Sequence, residues 1–92
     1  MAILQVSAAS SREAYDAVER VLNLSADRPN GMIVHAAAEQ ADGSVLIVDV
    51  WESDAAMDAF ERVRLFPAFA SVPGATMTEP PTRHPAFHLV QA

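Results

Sequence analysis

Apolar residues recur along this chain with two different periods, and the switches between them divide it into elements. Ala2 to Ala8 contains Ile-Leu-Gln-Val and predicts a strand, which gives way to the small polar residues Ser7 to Ser11. Ser10 followed by Glu13 has the spacing of a capping box and predicts that a helix begins there. Tyr15, Val18 and Leu22, with Ala14 and Val21 beside them, recur at helical spacing and form one apolar stripe, so this helix covers one face of something flat. Asn23 to Asn30, followed by Gly31, is rich in turn residues. Met32 to Glu39 and Val45 to Trp51 then predict two strands of a hairpin, with Asp42-Gly43 at its turn.

Ser53 is a natural N-cap for a second helix, with Asp54 in its first turn. Met57, Phe60, Val63 and Arg64 fall on overlapping helical positions, which predicts a single apolar side. Pro67 should interrupt that helix, leaving Ala68-Phe69-Ala70 as a short offset turn. Pro73-Gly74 and Pro80-Pro81 bracket an irregular crossing around Thr76 to Glu79, and Arg83 to Val90 predicts a last strand, with Pro85 tolerable near its start or on an edge.

The order strand, helix, strand, strand, helix, strand is that of the ferredoxin-like split βαβ arrangement, an α+β fold with two helices on one face of a four-stranded antiparallel sheet. Its 92 residues leave room for one domain, residues 1–92. The other sheet face would be wet and apolar, and a second copy laid sheet to sheet is the simplest cover, so a homodimer is expected.

Composition narrows the chemistry. There is no cysteine, which removes disulfides, thiolate nucleophiles and Cys-based metal sites. There is no lysine, which removes Schiff-base chemistry. Twelve acidic residues against six arginines give a net charge of -6, which repels a phosphate backbone, so no nucleic-acid partner is expected. No apolar run approaches the roughly 20 residues that cross a bilayer, and the N-terminus lacks the pattern of a signal peptide, so no membrane partner and a cytoplasmic location are expected.

The stretches Gly31-Met-Ile-Val-His-Ala-Ala-Ala and Val48-Asp-Val-Trp-Glu-Ser-Asp-Ala-Ala-Met-Asp-Ala-Phe resemble the antibiotic-biosynthesis monooxygenase group of small dimeric α+β barrel proteins. The element order agrees over nearly the whole chain, and the diagnostic part is the Val-Trp-Glu-Ser junction with its apolar helix. The resemblance implies a dimer with a pocket in each subunit, between sheet and helices. It also implies a cofactor-independent monooxygenase-like activity on a small planar aromatic or quinone-type molecule. The haem-degrading branch of that superfamily carries an Asn in its first strand, a Trp in its second helix and a His ten residues further on. This chain has Gln5 in the first strand, Phe60 in place of the Trp and Ala70 in place of the His, so no haem, and no other cofactor, is expected.

His35 stands mid-strand in an apolar run, where a neutral imidazole needs a hydrogen-bond partner, and Asp49 stands mid-strand in the other arm of the hairpin. A two-residue turn at Asp42-Gly43 would set His35 opposite Val50, whereas a bulge would shift the register by one and bring His35 against Asp49. Such a pair in a pocket is a usable general base. The plainer alternative is a core histidine held by Asp49 or by a backbone carbonyl. Trp51 is the third candidate catalytic residue, able to wall a pocket and donate its indole N–H, or simply to fill the corner between sheet and helix. Tyr15, Met32, Phe60 and Phe69 are the candidate substrate-binding residues, enough aromatic surface for an apolar aromatic ligand.

His84 and His88, read as one face of a strand, would stand about 13 Å apart, too far to share an ion, so no metal is expected. Arg62, Arg64 and Arg83 could each meet an anionic substrate, but in a chain this acidic surface ion pairs with Glu61, Glu52 or Asp58 are the commoner role and are expected. Two functions stay open: an enzyme for a small planar molecule, and a noncatalytic ligand-binding or structural dimeric module.

Overall fold

The computed structural model describes residues 1–75 and 79–91. In chain order it contains β1 (Ile3–Ala9), α1 (Arg12–Leu22), β2 (Met32–Glu39), β3 (Val45–Trp51), α2 (Asp54–Phe60), a π-helical turn (Glu61–Leu65), α3 (Phe66–Ser71) and β4 (Thr82–Pro85). The strands form one antiparallel sheet in the order β2-β3-β1-β4. This is the expected ferredoxin-like α+β arrangement, with the helices on one face.

The first strand runs one residue further than the pattern predicts, to Ala9, and the helix start moves with it. Ser11 rather than Ser10 is the N-cap, its hydroxyl accepting from the Ala14 amide at 3.1 Å. Val18 and Leu22 of α1 are buried as the stripe requires, while Val21 beside them is exposed.

The larger departure lies in the second helical stretch. Pro67 does not break it: the chain widens into the π-helical turn just before the proline and then continues as α3 with Pro67 in its first turn, where a missing amide does no harm. Each residue of a widened turn advances less around the helix axis. Val63, expected on the apolar side, is therefore turned out to 64% exposure, while Phe60 and Ala68 are buried together with Trp51 and Met57.

Gly31, just before β2, packs against this stretch. Its φ of +85° is a left-handed conformation, and a Cβ there would come within 2.5 Å of the Ala56 Cβ on α2, so only glycine fits.

β4 is shorter than the predicted Arg83 to Val90. Past Pro85 one further bond, Ala86 N–H to the Ala2 carbonyl, closes the pairing. His88 therefore lies beyond the strand and shares no face with His84. Of the predicted crossing at Thr76 to Glu79, residues 76–78 lie outside the described residues.

The sheet face away from the helices carries Leu4, Val6, Val34, Leu46 and Val48, and Val34 and Leu46 are among the exposed large apolar residues. Among the described residues no helix is long and apolar enough to cross a membrane.

Candidate functional site

The hairpin decides the site. Gly43 N–H donates to the Gln40 carbonyl, Gln40 N–H donates to the Ser44 carbonyl, and Gly43 has φ +89°. These bonds define a three-residue connection ending in a glycine bulge rather than a two-residue turn. Glu39 then pairs with Val45 and His35 with Asp49, the second of the two registers open to the sequence. A second irregularity between Met32 and Val34 lets Met32 and His35 both face the helices.

The His35 Nδ1 lies 2.5 Å from Asp49 Oδ1. Asp49 is buried, and an ionised carboxylate can only accept, so Nδ1 carries the proton and Nε2 of a neutral ring presents its lone pair. The Tyr15 hydroxyl, on α1, stands 2.7 Å from that Nε2 and donates to it when the ring is neutral, with the two rings nearly parallel at 12°. Asp49, His35 and Tyr15 thus form a chain of two hydrogen bonds from the sheet to the first helix.

Their titration follows from this arrangement. The hydrogen bond to Asp49 raises the His35 pKa above its ordinary value, more than burial lowers it. Tyr15 is raised by burial and by the nearby carboxylates of Glu19 and Asp49, so its phenol stays protonated at neutral pH.

The chain of three borders a mainly apolar cavity of about 80 Å³ between sheet and helices. Tyr15, Met32, His35, Asp49, Phe60 and Phe69 all line it. The π-helical turn helps to bring Phe60, Leu65 and Phe69 to one side of their helical stretch. Trp51 does not line the cavity. It is fully buried behind it, its ring 5.1 Å from that of Phe60, and its indole N–H has no acceptor among the described residues.

One residue lining the cavity escaped the sequence reading, Gln5, together with the contact that Arg83 makes to it. Gln5 lies opposite Asp49 on β1 and lines the cavity while only 3% exposed. Arg83, on β4, donates from Nε to the Gln5 Oε1 at 3.1 Å and from its other nitrogens to Asp54, Asp58 and Glu61. The available signal was Gln5 on the same strand face as buried Ile3, a polar side chain where the period of two demands an apolar one. Arg64, expected in a surface pair, donates to the Leu22 and Asp27 carbonyls and lies 3.4 Å from the Asp27 carboxylate, tying the π-helical turn to the loop after α1. Among the described residues no group of three or more His, Asp or Glu side chains is placed to hold a metal ion.

Sheet order, helix placement and a cavity between the two layers define an α+β protein of the antibiotic-biosynthesis monooxygenase type of fold. Solved structures agree over the full chain. A protein of Chloroflexus aurantiacus provisionally named an antibiotic biosynthesis monooxygenase superposes with a TM-score of 0.71 at 16% identity, over 99% of this chain and 98% of the other. One of Deinococcus radiodurans, provisionally named in the same way, superposes at 0.68 with 17% identity, over 100% and 98%. A third so named, from Nitrosomonas europaea, gives 0.68 at 16%, over 96% and 100%. No protein-family model matches the sequence, and neither does any curated protein. At these identities the likeness is one of fold.

Proposed function

We propose that the protein is a cytoplasmic homodimeric enzyme, a cofactor-independent monooxygenase that oxidises a small hydroxylated aromatic molecule to a quinone-type product. The observation that carries this reading is the Asp49–His35–Tyr15 chain ending at an apolar cavity. A half-buried imidazole with a carboxylate behind it is a general base, and here Tyr15 is its outer end. The substrate hydroxyl gives its proton to the Tyr15 oxygen as the Tyr15 proton passes to His35 Nε2, leaving an imidazolium that Asp49 stabilises. The electron-rich phenolate then reduces dioxygen: one oxygen atom forms a new bond to a ring carbon, and the other leaves as water as that carbon loses its hydrogen and the ring becomes a quinone. Apolar walls favour the neutral planar substrate and keep bulk water from the anion.

Cavity size sets a single ring as the upper limit. About 80 Å³ is close to half the roughly 150 Å³ hollow that takes up benzene, so even one ring enters only as the lining side chains yield, and a polycyclic molecule is excluded. Phe60 and Phe69 supply the stacking surface and Met32 an adaptable edge, while Trp51 acts from behind by holding Phe60. The apolar sheet face supports the homodimer, with a second copy as its cover.

One observation favours a second reading, a noncatalytic binding or structural dimer: both ring nitrogens of His35 are already engaged, as in a satisfied core histidine. Oxygen-uptake measurements on single-ring hydroquinones separate the two. Uptake by the wild-type protein that falls by about 10² or more in His35→Ala supports the enzyme, and no uptake, or uptake unaffected by the substitution, supports the module.

A further inference from the structure

We infer that Gln5 is a second ligand-binding group of the cavity, donating from its carboxamide NH2 to an oxygen across the ring from the one held at Tyr15, with Arg83 as the positioning residue that sets the amide. The inference rests on the cavity being the phenol site proposed above, and goes beyond it by assigning selectivity between ligands of one shape.

The argument begins at Arg83. A guanidinium has donors and no acceptor. Two carboxylates, Asp54 at 3.1 Å and Asp58 at 2.8 Å, hold one of its terminal nitrogens, and Glu61 at 2.7 Å holds the other. Its Nε–H is thereby aimed at Gln5, and it can be met only by the amide oxygen. The Gln5 NH2 is consequently turned away from Arg83, and among the described residues it has no hydrogen-bond partner. It is not sealed in, since Trp51 Nε1 is the one fully enclosed side-chain donor or acceptor left without a partner among the described residues. Gln5 borders the cavity, which gives that NH2 a place to find an acceptor. A nearly buried amide bordering a mainly apolar hollow keeps its donor available to an acceptor oxygen that enters there.

Strand order supplies the geometry. Gln5, Asp49 and His35 occupy one row across β1, β3 and β2, the last two residues directly paired and the first two likewise. Neighbouring strands lie about 4.8 Å apart, so the two outer backbones are separated by roughly 10 Å with Asp49 between them. A flat ring lying over this row places a hydroxyl at the Tyr15 end and an acceptor oxygen on its far side at the Gln5 end. The chemical class is therefore a phenol bearing a second oxygen across the ring.

The test compares 4-methoxyphenol with 4-ethylphenol, nearly equal in shape and differing in one acceptor oxygen, by NMR titration under anaerobic conditions. Wild-type protein should bind the methoxy compound roughly fivefold to tenfold more tightly, about the value of one hydrogen bond. Gln5→Met should erase that preference while changing the 4-ethylphenol dissociation constant less than about twofold. Should Gln5→Met fail to fold, Arg83→Met, at a partly exposed edge-strand position, frees the amide to rotate and should shrink the preference with Gln5 still in place. Equal binding of both phenols by wild type, or a preference that survives both substitutions, overturns the assignment of Gln5 and leaves the general base standing. Binding of neither phenol overturns both. A preserved preference alongside absent oxygen uptake supports Gln5 as a binding group and removes only the reaction.

Discussion

His35 and Asp49 face each other across adjacent strands, Nδ1 to Oδ1 at 2.5 Å, because the hairpin closes through a glycine bulge at Gly43. The pair links a local backbone feature to the ionisation of the proposed base.

The first prediction concerns pH. The His35 pKa is raised in the folded protein, so its protonated form contributes stability that is fully present below the ordinary histidine value of about 6.5 and is lost as pH rises through the higher folded value. Asp49→Asn removes the charge behind this. In thermal melts between pH 5 and pH 9, the advantage of wild type over Asp49→Asn should be greatest at the acid end and shrink on going alkaline. An NMR titration should place the His35 midpoint above 6.5 in wild type and lower in the variant. An unchanged midpoint would sink the charge-pair account.

Tyr15→Phe removes the hydroxyl and keeps the ring. It should cost about 0.5–1.5 kcal/mol in urea unfolding, the usual net value of one hydrogen bond. Oxygen uptake should fall much further than stability if Tyr15 is the outer end of the relay. Activity equal to wild type would show instead that the substrate meets His35 directly.

Gly31→Ala adds both a disfavoured positive φ and a Cβ within 2.5 Å of Ala56. A loss on the order of 2 kcal/mol or more is expected in chemical denaturation. Gly43→Ala is the control, because its φ of +89° is equally left-handed but nothing lies within 4 Å of the added carbon. A smaller loss at Gly43 would isolate the contact with α2.

The proposed dimer is tested on the open sheet face. Sedimentation should give roughly twice the 9.9 kDa chain mass for wild type. Val34→Glu and Leu46→Glu place uncompensated charge among apolar neighbours and should shift the protein toward the monomer with its secondary structure intact. A wild-type monomer at high micromolar concentration would remove the homodimer from the proposed function.

Local pattern determined what local physics controls. The bounds of β2 and β3 are those read from the chain, since β-branched and apolar residues between turn signals leave little choice. Ser53 caps α2 as expected, its hydroxyl accepting from the Ala56 amide. The element order was enough to derive the ferredoxin-like sheet, because short connections and an apolar stripe on each helix admit few other arrangements.

Tertiary structure decided the rest, wherever two distant segments had to agree. Pro67 forbids an ordinary helical hydrogen bond, but whether the chain breaks or widens there depends on the sheet it must keep covering, and the widened turn sends Val63 outward. β4 ends at Pro85, well short of the Val90 that alternation along the chain would reach. The sequence narrowed the partner of His35 to two registers, and the bulge chose Asp49. Gln5 and Arg83, 78 residues apart, have no local pattern in common, and they meet because β1 and β4 are neighbours in the sheet. Periodicity reports which face a residue takes, whereas a site is made by the pairing of faces, and that is a property of the packed sheet and helices.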